Sequence, residues 1–80
     1  MEYIATFHTH LGAMTFCGNL RSLGDSEAVM MPVPRALSAS CGTCVKFRKE
    51  FDADAMYDED LDRVVEIRGN SFVPIFCNDD

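Results

Sequence analysis

The sequence predicts an α+β domain of the ferredoxin-like type, in which the element order β-α-β-β-α-β gives a four-stranded antiparallel sheet with both helices on one face. Three observations lead to this prediction: a β-branched and aromatic opening, a capped helical segment after it, and a later segment in which polarity alternates. With 80 residues and 48% hydrophobic side chains, the chain has room for one domain, which we place over residues 1–80.

The first predicted strand and helix come from the start of the chain. Residues 3–7 are mainly β-branched and aromatic, which favours a strand. Thr9 is a typical N-cap and Gly24 a typical C′ residue, so a helix is predicted between them. The apolar residues that recur at every third position predict its buried face: Leu11, Met14, Cys17 and Leu20.

Two further strands are predicted in the middle of the chain. Residues 28–33 form the second strand, and residues 43–48 form the third, in which polarity alternates. Because alternate side chains point to opposite sides of a strand, Val45 and Phe47 would face the core. Cys44 would face the other side, as in a strand that is half-buried.

A short helix and a last strand complete the predicted fold. Asp58 is a suitable N-cap and Gly69 a suitable C′ residue for this second helix. Its predicted apolar face consists of Leu61, Val64 and Val65. Residues 72–77 form strand 4, and the expected sheet order 4-1-3-2 places Pro32 and Pro74 in edge strands, where a residue without an N–H is tolerated.

The charge and hydropathy of the sequence indicate which kinds of partner the protein does not bind. The net charge is −6, and residues 50–80 carry 10 acidic and only 2 basic side chains, which argues against binding to nucleic acid. No apolar run approaches the roughly 20 residues of a membrane-spanning helix, so no membrane partner is expected. The first residues lack the basic and apolar regions of a signal peptide, and we therefore expect a cytoplasmic protein.

The most chemically suggestive residue is Cys41, in a polar loop between predicted strands 2 and 3. In the predicted topology this loop, with Arg35, shares one end of the domain with His8, His10, the turn over residues 70 and 71, and the N-terminus of the first helix. A cation or a helix N-terminus near a thiol favours the thiolate, which is the reactive form. The alternative is that Cys41 is a small residue in a tight loop, and that each histidine is solvated or caps the helix.

Cys41 and Cys44 have the C-x-x-C spacing of dithiol redox centres and of half a zinc site. A thioredoxin-like motif opens a helix, whereas this one enters a strand. A zinc site would need two more ligands, which His8 and His10 could supply. Cys17 in the first helix and Cys77 at the end of strand 4 are expected to lie elsewhere.

Several of these segments resemble one known family. Residues 3–7, the helix after them, the segment 31–42 and the later Asp60-Leu61 are together similar to the small bacterial selenium/sulfur carrier-like proteins. The most specific part of the resemblance is the run P-V-P-R-x-x-S-x-x-C-G, whose last two residues are Cys41 and Gly42. The resemblance does not require a second cysteine at position 44, and the acidic connection over residues 50–57 departs from it.

The resemblance implies a carrier rather than a complete enzyme, with no cofactor, in which Cys41 holds a persulfide or selenopersulfide. A donor protein would deliver the sulfur or selenium, and an acceptor protein would take it. Arg35 would stabilise the anion, His8 or His10 would move a proton, and Cys44 would resolve the adduct. Two other hypotheses stay open: a non-catalytic interaction module with structural cysteines, and a small zinc-stabilised domain.

Overall fold

The computed structural model describes residues 1–37 and 42–78. Its elements are β1 (Glu2–Phe7), α1 (His10–Ser22), β2 (Val29–Pro32), β3 (Thr43–Phe47), α2 (Ala53–Met56), β4 (Leu61–Arg68) and β5 (Ser71–Cys77). The strands form one five-stranded sheet in the order β2-β3-β1-β4-β5, and each neighbouring pair is antiparallel. The α+β class is confirmed, whereas the four-stranded sheet of the ferredoxin-like prediction is wrong.

The difference lies in residues 61–68, which form strand β4 and not the predicted second helix. The spacing of Leu61, Val64 and Val65 suits a helical face, but neighbouring Val64 and Val65 are both buried because they lie on opposite sides of the sheet. β-branched residues favour such a strand. Gly69 has φ +58° in the two-residue turn to β5, so this glycine closes a hairpin and does not end a helix.

Both predicted ends of α1 are confirmed. The Thr9 hydroxyl accepts a hydrogen bond of 3.1 Å from the Gly12 N–H. At the other end Gly24 has φ +102°, and its N–H donates to the Arg21 carbonyl at 3.1 Å. The Asp25 N–H donates to the Leu20 carbonyl at 3.0 Å, which completes a Schellman motif.

The predicted buried face of α1 needs correction. The buried side chains are those of Ala13, Phe16, Cys17 and Leu20, whereas Leu11 and Met14 are exposed. A step of three residues falls about 60° short of a full turn, so a strict three-residue repeat moves to the opposite side of a helix within about nine residues. The buried set instead alternates steps of three and one, which keeps it on one side.

The larger core lies between α1 and the sheet. Val45 and Phe47 are fully buried there, as predicted, and the Phe47 ring contacts Phe16 with a centroid distance of 5.5 Å. Met56 of α2 belongs to the same cluster, so both helices cover the same side of the sheet. However, α2 is not the predicted second helix, because it lies in the connection before the expected N-cap Asp58.

The other side of the sheet carries a second apolar cluster, built around Ile4, Cys44 and Val65. Val33 and Leu37, from the segment that follows β2, pack against it. The Cys44 side chain is therefore 0% exposed, although the sequence predicted that it faces a half-exposed side. Polarity does alternate along β3, as predicted. The side of the sheet that carries Cys44 is nevertheless buried, because the segment after β2 packs against it.

The edges of the sheet agree with the prolines. Pro32 lies in β2 and Pro74 in β5, the two outer strands. Among residues 1–37 and 42–78, no helix is long and apolar enough to cross a membrane.

A carboxylate fixes the chain at the end of β3. One oxygen of Asp25 accepts the N–H groups of Arg48 and Lys49, each at 2.8 Å, and the other accepts the Glu27 N–H at 3.2 Å. Burial alone would raise the pKa of Asp25, but these hydrogen bonds and the Arg48 charge hold it below its usual value. The ionised carboxylate therefore joins the α1–β2 connection to the end of β3.

Candidate functional site

One end of the sheet, which we call the loop end, gathers most of the residues singled out in the sequence. Cys44 pairs with Thr6, Thr6 with Arg63, and Arg63 with Cys77 in a single row across four strands. The C-terminal ends of β1 and β5 and the N-terminal ends of β3 and β4 therefore lie together. The loop after β1 and the β2–β3 connection reach this end, as the sequence predicts.

The extra strand changes the position of two other features. Because β4 replaces a helix, β5 runs parallel to β1, and Cys77 lies at the loop end and not at the far end. For the same reason Asn70 and Ser71, expected beside Cys41, lie at the opposite end, in the turn next to the start of β1. Both corrections follow from the single error over residues 61–68.

Backbone contacts close the base of the β2–β3 connection. After the Pro32–Thr43 pair, the Val33 N–H donates to the Gly42 carbonyl at 3.1 Å. Gly42 has φ +71°, a conformation that glycine adopts without steric cost. Cys41 is bonded covalently to this fixed glycine, but Cys41, like Ser38 and Ser40, lies outside the described residues.

Arg35 lies in a tight turn of the same connection. The Leu37 N–H donates to the Pro34 carbonyl at 2.9 Å, and the Arg35 side chain between them is exposed. The turn is held on one side by Leu37, which packs on the second apolar cluster. Arg35 is thus presented to solvent from an anchored segment.

The two histidines occupy different surroundings at the loop end. His10 is exposed, and its Nδ1 lies 3.3 Å from the Thr43 hydroxyl, at the first residue of β3. His8 is half-buried, and within residues 1–37 and 42–78 its buried Nε2 has no hydrogen-bond partner. His10 therefore contacts the strand that directly follows the Cys41-Gly42 pair.

The N-terminus of α1 is already next to an anion. The Thr9 hydroxyl donates to an Asp60 carboxylate oxygen at 2.9 Å, and the His8 N–H donates to the Asp60 carbonyl at 2.8 Å. A Cβ built on Gly12 would lie 2.5 Å from the Asp60 Cβ, so this contact needs a glycine. The N-terminus of α1 therefore already contacts the Asp60 carboxylate. No local pattern links residues so far apart in the chain, and sequence reasoning missed the contact.

The described cysteines differ in access to solvent. Cys17 on α1 and Cys44 on β3 are buried, and the Cys44 sulfur lies 3.8 Å from the Pro32 carbonyl oxygen. Cys77 is exposed. In the part of the chain that the structure describes, no three His, Cys, Asp or Glu side chains are placed to hold a metal ion, so this part supplies no ligand set for the zinc hypothesis.

Comparison with known proteins places the chain in a family. Residues 2–69 match the family described as "Putative Se/S carrier protein-like". The chain belongs to this family. No curated protein and no solved structure matches the chain. The range matched to the carrier-like family includes Cys41, Cys44 and Cys17, whereas Cys77 lies beyond it.

Proposed function

We propose that the protein carries a sulfur or selenium atom on Cys41, as a persulfide or selenopersulfide. The Cys41 thiolate would attack the outer sulfur of a persulfide on a donor protein. The new S–S bond forms as the old one breaks, and the donor leaves as a thiolate, so the exchange needs no separate oxidant or reductant. An acceptor thiolate would remove the sulfur in the same way, and selenium would follow the same steps.

The burial of Cys17 and Cys44 is the observation that carries this proposal. A donor protein must bring its persulfide into contact with the accepting sulfur, and neither of these side chains is accessible in the folded chain. Two cysteines of the sequence then remain as acceptors, Cys41 and Cys77. Membership of the carrier-like family favours Cys41, because the family match ends before Cys77.

The contacts at the loop end support roles for neighbouring residues. Arg35 would stabilise the thiolate or persulfide anion on the same connection, because its guanidinium is always charged and is exposed here. His10 would exchange a proton with the sulfur, because it contacts Thr43, two residues after Cys41. His8 is a second candidate for proton transfer, since its buried Nε2 has no described partner.

We propose a single carrier thiol and not a dithiol pair. To form a disulfide with Cys41, Cys44 would have to withdraw its sulfur from the apolar cluster around Ile4 and Val65. The expected partners are donor and acceptor proteins in the cytoplasm, and the protein would act as a carrier and not as a complete enzyme.

Sulfur loading followed by mass spectrometry tests the proposal. Reduced protein is treated with a low-molecular-weight persulfide, and the intact mass is compared among the wild type, Cys41→Ser and Cys77→Ser. We expect one added sulfur atom in the wild type and in Cys77→Ser, and none in Cys41→Ser. Equal loading of Cys41→Ser and the wild type would contradict the proposal and favour an interaction module with structural cysteines.

A further inference from the structure

A groove separates α1 from α2 on the side of the sheet that carries the larger core. Its volume is about 370 Å³. Phe16, Leu20 and Met56 form its buried lining, and Leu23 and Tyr57 line its exposed part. α2 has only four residues and joins the core through Met56, so it does not fill the space beside α1. The groove is therefore largely apolar and open to solvent.

The groove brings together two of the exposed apolar side chains of the protein. Leu23 is 61% exposed and Tyr57 is 54% exposed. Leu23 is the C-cap of α1 and Tyr57 is the C-cap of α2, so each directly follows a helix that fixes its position. Large apolar side chains that border one hollow are typical of sites where another protein docks.

The segment over residues 50–59, which includes α2, surrounds the groove with negative charge. It contains no Lys, Arg or His and five carboxylates, those of Glu50, Asp52, Asp54, Asp58 and Glu59. Among residues 1–37 and 42–78, none of these five carboxylates forms an ion pair, whereas Lys46, Arg48, Arg63 and Arg68 each pair with a carboxylate elsewhere. Asp58 lines the groove itself. The negative potential along this segment is therefore not neutralised within the described chain.

Nearby cations do not change the sign of this surface. The Arg21 Nε donates to the Ala28 carbonyl at 2.9 Å, so its guanidinium is held near the start of β2 and does not line the groove. Lys49 lines an adjoining hollow, but it shares that hollow with Glu50 and Asp52. α1 also ends beside the groove, and a helix C-terminus carries partial negative charge. These surroundings favour a cationic ligand.

We infer that this groove binds a basic segment of a partner protein. One large apolar side chain of the segment enters between Leu23 and Tyr57, and the Lys or Arg residues beside it face the carboxylates of residues 50–59. The apolar lining selects the anchoring side chain, and charge complementarity selects its neighbours. The same carboxylates repel a second copy of this chain, whose net charge is −6. The inference goes beyond the carrier function and does not depend on which cysteine holds sulfur.

A peptide titration of the isotope-labelled protein, followed by nuclear magnetic resonance, tests the inference. The probe is Gly-Lys-Lys-Phe-Lys-Lys-Gly with both ends blocked. It should shift the amide signals of residues 16–23 and 55–58, with a dissociation constant below about 1 mM. A peptide with serine in place of phenylalanine should bind about tenfold more weakly, because it lacks the apolar anchor. A peptide with glutamate in place of lysine should not bind.

Two pairs of variants locate the binding. Leu23→Ser should weaken binding of the lysine–phenylalanine peptide by about fivefold. Leu11→Ser is the matched control, because Leu11 is an exposed leucine of the same helix that does not line the groove. Asp58→Asn should weaken binding by about two- to fivefold and keeps an oxygen that can accept the Asp60 N–H. Its control is Glu2→Gln, which removes one negative charge from β1 and should leave binding unchanged.

Several results would overturn the inference. A wild type that does not bind the lysine–phenylalanine peptide has no such site. Equal affinity for the serine peptide would show attraction by charge alone, and equal affinity for the glutamate peptide would show an apolar groove without preference for basic partners. Equal effects of Leu23→Ser and Leu11→Ser would place the binding elsewhere. Shifts of the groove signals with protein concentration, without peptide, would identify a second copy as the occupant.

Discussion

Two glycines of the same helix should respond in opposite ways to replacement by alanine. At Gly12 an added Cβ would lie 2.5 Å from the Cβ of Asp60, which is far below van der Waals contact. Asp60 cannot relieve this clash by rotating its carboxylate, because the clashing atom lies next to its backbone. The carboxylate would have to move away from the Thr9 hydroxyl, and the α1 cap would change with it.

The magnitude follows from opposing effects. Replacing glycine by alanine inside a helix raises the free energy of unfolding by about 1 kcal/mol. Overpacking costs about 1–3 kcal/mol, and the weakened hydrogen bond adds about 1 kcal/mol. Gly12→Ala should therefore lower the free energy of unfolding by about 1–3 kcal/mol, or the melting temperature by at least about 4 °C. Gly18→Ala meets no atom within 4 Å and should raise the free energy of unfolding by about 0.5–1 kcal/mol.

Urea unfolding followed by far-ultraviolet circular dichroism measures both variants. The two midpoints should move in opposite directions from that of the wild type. If Gly12→Ala is as stable as Gly18→Ala, Asp60 does not pack against the N-terminus of α1, and the reasoning about the loop end is refuted.

Three further outcomes can be measured on the same protein. Asp25→Ala should cost about 1–2 kcal/mol at neutral pH, because the carboxylate accepts three backbone N–H groups. Since the folded-state pKa of Asp25 is lowered, its stabilisation is complete above the unfolded value of about 3.9 and is lost as the pH falls through the folded value. The difference in free energy of unfolding between Asp25→Ala and the wild type should therefore shrink in acid. A difference that persists in acid would contradict this role of the Asp25 carboxylate. The control is Glu59→Ala, at an exposed residue. Gly69→Ala should lower the free energy of unfolding by about 1 kcal/mol in urea, because alanine is strained at φ +58°, and an unchanged midpoint would speak against this turn. Cys17 and Cys44 should be alkylated only when the chain unfolds, as mapped by mass spectrometry with and without urea, and fast alkylation in native buffer would show that the described core is wrong.

Local rules predicted the parts of the fold that depend on local contacts. The ends of α1 could be predicted because Thr9 and Gly24 act within one helical turn. The strand over residues 61–68 could not, because apolar spacing there suits a helix and a strand equally well. The choice is made by burial on both sides of the sheet, which Val64 and Val65 share, and burial depends on distant segments.

At the candidate site, too, the sequence predicted some positions correctly and missed those that depend on distant segments. The sequence placed His10 near the start of β3, because both follow from the order of the first three strands. It misplaced Cys77, since one extra strand reverses every later direction in the sheet. It also missed Asp60 at the N-terminus of α1, because that contact joins residues 51 positions apart.

The most direct test of the carrier function is the occupancy of each cysteine in the unaltered protein. Less than one equivalent of a persulfide donor is added, the remaining thiols are blocked, and the added sulfur is located by peptide mass spectrometry. We predict that nearly all of it is on Cys41, although Cys77 is exposed. Sulfur distributed equally between Cys41 and Cys77, or found mainly on Cys77, would contradict a carrier function for Cys41.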